Sequence, residues 1–152
     1  VLHRAGDKAP AELLPEPAAK WPAELAEFRS QTGAALPEGK MLRFGDVCYL
    51  VPEALPEIKG LRVLRAGLEL GAVLKNRFEP AHAWALWLKT LESSVSFAEA
   101  DPLLARYLSG DVLPSEKRGW TLVQADGLSL GWAKGDGNRL KNHYPKALRR
   151  PV

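Results

Sequence analysis

The chain has 152 residues, of which 46% are hydrophobic and 26% charged; this is typical of a globular protein with one domain or two small ones and excludes a disordered or collagen-like chain. No segment has the roughly 18 to 20 apolar residues of a membrane-spanning helix, and the start lacks a signal-peptide core, so we expect a cytoplasmic protein with no membrane partner. The net charge of +3 is unevenly distributed, because residues 131–152 hold 6 basic residues against 1 acidic, and such a basic end favours a polyanionic partner.

The first 37 residues contain 5 of the 12 prolines and predict a linker with one short helix. Pro22 suits the first position of that helix, and Leu25 and Phe28 recur at the spacing of one buried face. Gly33 can end the helix in a left-handed conformation. We therefore expect this segment to pack against something larger.

From Lys40 the hydrophobic period becomes that of strands. Residues 41–44 and 47–51 flank Gly45 and Asp46, which is the pattern of a hairpin with a two-residue turn. A second pair of strands is predicted over residues 61–65 and 68–74, where an internal glycine favours a bulge. This half of the chain is therefore predicted to be mainly β.

A helix is predicted to follow, with Pro80 at its first position after Glu79. Apolar residues then recur at the spacing of one buried helical face, which comprises Trp84, Trp87, Leu88 and Leu91.

A second helix has two competing starts. Ser96 with Glu99 resembles a capping box, but Asp101 followed by Pro102 is the stronger start. Gly110 is placed to end the helix. Its buried face would comprise Leu103, Leu104, Tyr107 and Leu108.

The last third contains the clearest hairpin. Residues 120–125 and 128–134 flank Asp126 and Gly127, and alternation predicts Leu128, Leu130 and Trp132 on one face. The order of strands, short helices and strands indicates an α+β fold made of small mixed or antiparallel β modules rather than a wound parallel sheet.

Motifs for catalysis or metal binding are absent from the sequence. His3, His82 and His143 stand far apart, Glu79 and His82 form a single ExxH, and the one cysteine, Cys48, lies in an apolar stretch. No phosphate-binding glycine loop or nucleophile elbow is present. We therefore predict no catalytic, cofactor-binding or metal site in this chain.

The segment from Leu140 to Arg150, LKNHYPKALRR, is the most suggestive one for binding. It combines cations that contact phosphates with an aromatic ring, an amide and an imidazole that can contact bases or sugars. Pro145 fixes the chain at a bend, which favours a shaped surface over a loose tail. An ordinary solvated C-terminus is the alternative from residue types alone.

Three stretches carry a family resemblance: GLRVLRAGLELGAVLKNRFEPAHAWAL from Gly60, YLSGDVL from Tyr107, and GWTLVQADGLSLGWAKGDGNRLKNHYPKALR from Gly119. Together they resemble the C-terminal region of the Sun-type (Fmu-like) RNA cytosine-5 methyltransferases, specifically the RsmF group, over roughly residues 38–150. One departure is Ala147, where the family tends to have glycine. If that position needs a positive φ, alanine strains the turn.

The resemblance implies a domain organisation. Residues 1–37 would be the end of a methyltransferase domain, with residues 1–4 as its last strand, and a proline-rich linker; residues 38–91 would be a connecting domain and residues 92–152 a PUA-like pseudo-barrel that binds RNA. The fragment would lack the S-adenosylmethionine site and both catalytic cysteines, so it would not itself be an enzyme, although its parent would methylate small-subunit ribosomal RNA with that cofactor.

Implied partners are small-subunit ribosomal RNA and the chain's own methyltransferase domain. An alternative is a module that docks onto that domain or onto a ribosomal protein. Trp132 is predicted either to stack on bases or to lie in the core. The predicted RNA-binding residues are Trp132, Lys134, Arg139, Lys141, Asn142, His143, Tyr144, Lys146, Arg149 and Arg150.

Overall fold

The computed structural model describes residues 15–16, 21–51 and 67–151, with only the backbone for residues 15–16. The strands predicted at residues 1–4 and 61–65 lie outside these ranges. The chain divides into two compact units: one contains residues up to Gln31 and Ala35–Trp84, and the other contains Thr32–Ala34 and Ala85 onward. None of the helices in the described ranges has the length and apolar character needed to cross a bilayer.

The first unit is built on a five-stranded antiparallel sheet in the order β1-β2-β3-β4-β5. Its strands are β1 (Pro15–Glu16), β2 (Lys40–Phe44), β3 (Val47–Val51), β4 (Leu68–Leu74) and β5 (Arg77–Pro80). Phe44 pairs with Val47, so the hairpin predicted around Gly45 and Asp46 is confirmed.

The predicted bulge is also present. Cys48 pairs with Gly71 while Tyr49 pairs with Glu69, which leaves Leu70 as the extra residue next to the glycine. A side chain at Gly71 would collide with the backbone of β5 and the ring of Phe78, so only glycine allows this close approach of strands.

Helix α1 (Ala23–Thr32) follows Pro22 and precedes Gly33, which has a φ of 71°. Leu25 and Phe28 are both buried, as predicted, and the Phe28 ring contacts Phe78 and Trp84 at centroid distances of 5.3 Å each. The Trp84 indole N–H donates to the Ala35 carbonyl at 3.0 Å. Aromatic packing therefore anchors the helix in this unit.

The helix predicted to begin at Pro80 was placed too early. Asn76 takes a φ of 60° and turns the chain, so residues 77–80 become strand β5 and Pro80 is its last residue. Helix α2 (His82–Trp87) ends before the predicted face is complete. Trp84, Leu88 and Leu91 are buried, but Trp87 is 40% exposed, so its assignment to the core was wrong.

The second unit has a five-stranded sheet in the order β6-β8-β9-β10-β7. Only the β6–β8 pair is parallel. The strands are β6 (Ser94–Phe97), β7 (Leu113–Pro114), β8 (Arg118–Ala125), β9 (Leu128–Asp136) and β10 (Arg139–Asn142).

Helix α3 (Pro102–Ser109) begins and ends where the stronger sequence signals placed it. The Asp101 carboxylate accepts from the Leu103 N–H at 2.9 Å, and Gly110 closes the helix with a φ of 96°. Ser96 lies in β6, so the alternative capping box is not used. The helix packs on one face of the sheet, in a core of Tyr107, Leu113, Val123, Ala133 and Leu140. The α+β prediction is confirmed.

A second bulge changes the predicted faces of the last hairpin. Val123 pairs with Gly131 but Gln124 pairs with Ser129, so Leu130 is an extra residue in β9. Leu130 packs against the α3 core, whereas Trp132 lies on the opposite face and Leu128 is 71% exposed. The prediction that these three side chains share one face was therefore wrong.

Candidate nucleic-acid interface

Three neighbouring strands, β8, β9 and β10, present a regular array of side chains on the sheet face opposite the α3 core. Alternation along antiparallel strands and the observed register put three residues of β8, three of β9 and two of β10 on this face. The His143 N–H donates to the Trp132 carbonyl, which continues the ladder past β10. We call this array the basic face. Its three rows are Arg118, Asp136 and Arg139; Trp120, Lys134 and Lys141; and Leu122, Trp132 and His143.

Cations meet in the first two rows of the basic face. Lys134 and Lys141 are paired across β9 and β10, and with Arg139 they line a surface depression of about 470 Å³. Within the described part of the chain, neither lysine forms an ion pair. Arg139 has an exposed ion pair with Asp136 at 3.8 Å, which contributes little to stability because solvent screens it. The depression therefore carries a net positive charge.

Asp136 is the only acid on the basic face. Its carboxylate accepts the backbone N–H groups of Asn138 and Arg139 at 2.8 and 3.0 Å, and these bonds lower its pKa. The carboxylate thus stays ionised and fixes the turn that leads into β10. Arg118 donates to the Asp136 carbonyl at 3.3 Å, so a second arginine borders the same acid.

An aromatic pair lies in the second and third rows of the face. The centres of the Trp120 and His143 rings are 4.6 Å apart in an edge-on arrangement, and both residues are half-buried. The Lys134 ammonium lies 5.2 Å from the centre of the Trp120 ring, within the range of a cation–π interaction. The face therefore combines cations with a partly exposed aromatic pair.

Trp132, in the third row of the basic face, is covered. It is 1% exposed, and its ring meets the Trp120 ring edge-on, with 6.1 Å between the ring centres. A base cannot stack on a buried ring, so of the two roles predicted for Trp132 the core role is correct and the RNA-contact role is wrong.

The segment that begins at Asn142 is held by hydrogen bonds rather than displayed as a free basic end. The Asn142 amide donates to the carbonyls of Tyr107 and Asp111 at 2.8 Å each, and its oxygen accepts the Tyr144 N–H at 2.8 Å. The Tyr144 ring packs on Tyr107, and Arg149 donates to the Tyr144 carbonyl at 3.0 Å. Asn142, Tyr144 and Arg149 thus fasten the C-terminal segment to α3.

The C-terminal segment ends in a short 3-10 helix followed by a backbone hydrogen bond to α3. Residues 146–148 form a 3-10 helix, and the Arg150 N–H donates to the Leu108 carbonyl at 2.8 Å. Among the described residues only Asn76 and Asp126 are non-glycine residues with positive φ, so Ala147 is not strained by replacing the family's glycine. Lys146 and Arg150 remain exposed, but they follow β10 and do not line the depression.

The structure therefore divides the predicted site. Lys134, Arg139, Lys141 and His143 share the basic face. Asn142, Tyr144 and Arg149 make intramolecular contacts instead. Arg118 and Trp120 were missed, because without the Leu130 bulge the two-residue turn would have placed Lys134 opposite Gly119. No group of acidic, histidine and cysteine side chains suited to a metal ion occurs in the described residues.

Two family models match the chain in succession. Residues 27–88 match the first C-terminal domain of the RsmF rRNA methyltransferases, and residues 95–150 match the RsmF methyltransferase PUA domain. The fold and these matches define the class: a small β-rich domain followed by a PUA domain.

Relatives named ribosomal RNA small subunit methyltransferase F give the same result. The protein from Aeromonas hydrophila subsp. hydrophila is 30% identical over 97% of this chain and 32% of the relative, and that from Shewanella piezotolerans is 33% identical over 90% and 32%. The chain spans about a third of the length of these relatives. It belongs to the RsmF family, as the C-terminal region of a protein of that type.

Proposed function

We propose that the PUA domain binds RNA through the basic face. The observation that carries this proposal is the convergence of Lys134, Arg139 and Lys141 in one depression, on two paired strands of a packed sheet. Phosphate contacts supply most of the affinity in protein–nucleic acid complexes and need cations of this kind.

The spacing of the cations suits a sugar-phosphate chain. Residues two apart on a strand are separated by about 7 Å, so Arg139 and Lys141 form a short ladder along β10 with Lys134 beside it. Because α3 and its core support the other face of the sheet, the ladder is rigid. A rigid array loses less conformational entropy on binding than a loose basic tail does.

In a longer protein like the RsmF relatives, the PUA domain would position small-subunit ribosomal RNA for conversion of a cytosine to 5-methylcytosine. S-adenosylmethionine would supply the methyl group in the methyltransferase domain, and this chain would contribute no catalytic residue. Holding the RNA raises its local concentration at the catalytic domain and restricts its orientation, which accelerates a reaction between bound partners. We place this step in the cytoplasm.

A binding titration with paired variants tests the proposal. Lys134→Ala/Lys141→Ala removes two cations from the basic face, and Lys75→Ala/Lys89→Ala removes two exposed cations elsewhere. Each pair of a lysine ammonium and a phosphate at about 4 Å in water contributes about 1 kcal/mol, so the loss of two pairs in the first double variant should weaken binding of fluorescent ribosomal RNA fragments roughly 30-fold. The second should change affinity less than twofold. Equal losses in the two variants would contradict the proposed interface.

A second candidate function is docking onto the methyltransferase domain, favoured by exposed apolar side chains elsewhere in the second unit. Leu86 and Leu128 are 54% and 71% exposed. Ser129 donates to the Leu88 carbonyl, which places the tip of the β8–β9 hairpin beside the end of α2. Trp87→Ser/Leu128→Ser would then weaken association with a separately expressed methyltransferase domain while RNA binding stays unchanged. Unaltered association would exclude this candidate.

A further inference from the structure

We infer that Trp120 and His143 form a nucleobase subsite, so that the basic face binds single-stranded RNA through one base as well as through phosphates. This inference rests on the proposed function of the same face. It replaces Tyr144 and Trp132 as the stacking groups, because Tyr144 packs on Tyr107 and Trp132 is buried.

Trp120 and His143 lie beside the cations of the basic face. Trp120 precedes Lys134 and Lys141 in the middle row of the basic face, and His143 follows Lys141 on the same side of the chain. A base attached to a phosphate at Lys141 would therefore lie within reach of both rings. Bases that are splayed out of single-stranded RNA stack on aromatic side chains of this kind.

Neighbouring groups hold Trp120 and His143 in place. Trp132 is buried and meets the Trp120 ring edge-on, so the half-buried Trp120 indole packs against a side chain that is itself fixed. The backbone N–H of His143 donates to the Trp132 carbonyl, which fixes the main chain at His143, and the imidazole packs against the Trp120 ring. The pair is therefore arranged before any ligand arrives.

The Lys134 ammonium is the third element of the subsite. It lies 5.2 Å from the centre of the indole ring, on a flexible and exposed side chain. Stacking of a base on an aromatic ring changes affinity roughly 5-fold to 150-fold, whereas an exposed cation–π contact is worth only about 2-fold to 5-fold. A base can therefore displace the ammonium from the ring, and Lys134 then turns to the neighbouring phosphate.

The chemistry of the pair limits what can bind. The bases of a continuous duplex are stacked on one another and do not offer a free face, so a double helix could use only the cations. A single strand, a loop or a bulge could use both the cations and the rings. The inferred ligand is thus an unpaired nucleotide with its 5′ or 3′ phosphate on the basic face.

The test compares a single-stranded oligonucleotide with an abasic oligonucleotide of the same length and charge, using the whole chain. Trp120→Leu should weaken binding of the base-bearing strand about 10-fold and leave binding of the abasic strand within 2-fold. Trp120→Phe should retain most of the affinity because a ring remains. Trp87→Leu, which removes an indole that is 40% exposed and lies outside the basic face, serves as the control and should change neither affinity.

His143→Ala provides a second variant if Trp120→Leu fails to fold, since its backbone hydrogen bond does not need the imidazole. It should also weaken only the base-bearing strand. If these variants lower the affinity of both strands equally, or of neither, the subsite is refuted while the proposed RNA-binding function survives. If the wild-type chain binds neither strand, the proposed function itself fails.

Discussion

Replacing Asn142 with alanine should destabilise the PUA domain without removing a contact to RNA. The side chain makes three hydrogen bonds of 2.8 Å each, two as donor to the Tyr107 and Asp111 carbonyls and one as acceptor from the Tyr144 N–H. A net contribution of about 0.5 to 1.5 kcal/mol for each of the three bonds gives a loss of about 1.5 to 4.5 kcal/mol. For a unit of this size that corresponds to a fall in Tm of roughly 6 to 36 °C.

Urea denaturation followed by near-ultraviolet circular dichroism measures this loss, and Asn138→Ala serves as the control because Asn138 is an exposed asparagine in a neighbouring turn. The control should lower the free energy of unfolding by less than about 1 kcal/mol. RNA affinity measured well below the transition should be nearly unchanged for Asn142→Ala. A variant of wild-type stability that binds RNA tenfold more weakly would instead show that Asn142 contacts RNA, and the reasoning would be refuted.

Three further predictions concern charge and burial in the same domain. Asp136→Asn keeps an oxygen that accepts the hydrogen bonds of the turn but removes the only acid of the basic face. RNA affinity measured by titration should therefore rise a few-fold, and a fall in affinity would contradict the electrostatic account. Tyr107→Phe removes a buried hydrogen bond to the Trp132 carbonyl. The free energy of unfolding, measured by urea denaturation, should fall by about 1 to 2 kcal/mol. An unchanged free energy would show that this bond does not stabilise the domain. The hydrogen bond from Arg106 lowers the pKa of Asp111, so the stability that this bond contributes is present above pH 3.8, the ordinary pKa, and is lost as the pH falls through the lowered pKa. In urea denaturation at acid pH, Asp111→Asn should therefore show a smaller fall in the free energy of unfolding than the wild type. An equal fall in both proteins would contradict this role of Asp111.

Local signals in the sequence predicted much of this fold. The Gly45–Asp46 and Asp126–Gly127 turns, the Asp101 cap and the Gly110 end of α3 depend on neighbouring residues, so the sequence is sufficient to place them. The start of α2 was misplaced because Pro80 also suits the end of a strand, and the competing turn at Asn76 carries a weaker signal.

The binding site was harder to predict, because it depends on register. One extra residue at Leu130 decides that Lys134 lies beside Trp120 rather than opposite Gly119, and no local pattern identified that bulge. Residue types in the segment from Leu140 to Arg150 indicated RNA binding, but they did not distinguish side chains that face outward from those that fasten the segment. Asn142 and Arg149 fasten it, and Lys141 faces outward.

The salt dependence of RNA binding tests the central claim most directly. Each phosphate contact to a single strand contributes about −0.7 to the slope of log K against log salt, so three or four cations on the basic face should give a slope of about −2 to −3. Lys134→Ala/Lys141→Ala should reduce the magnitude of that slope by about 1.4. A slope that is the same in this variant and in the wild type would show that the RNA is held somewhere else.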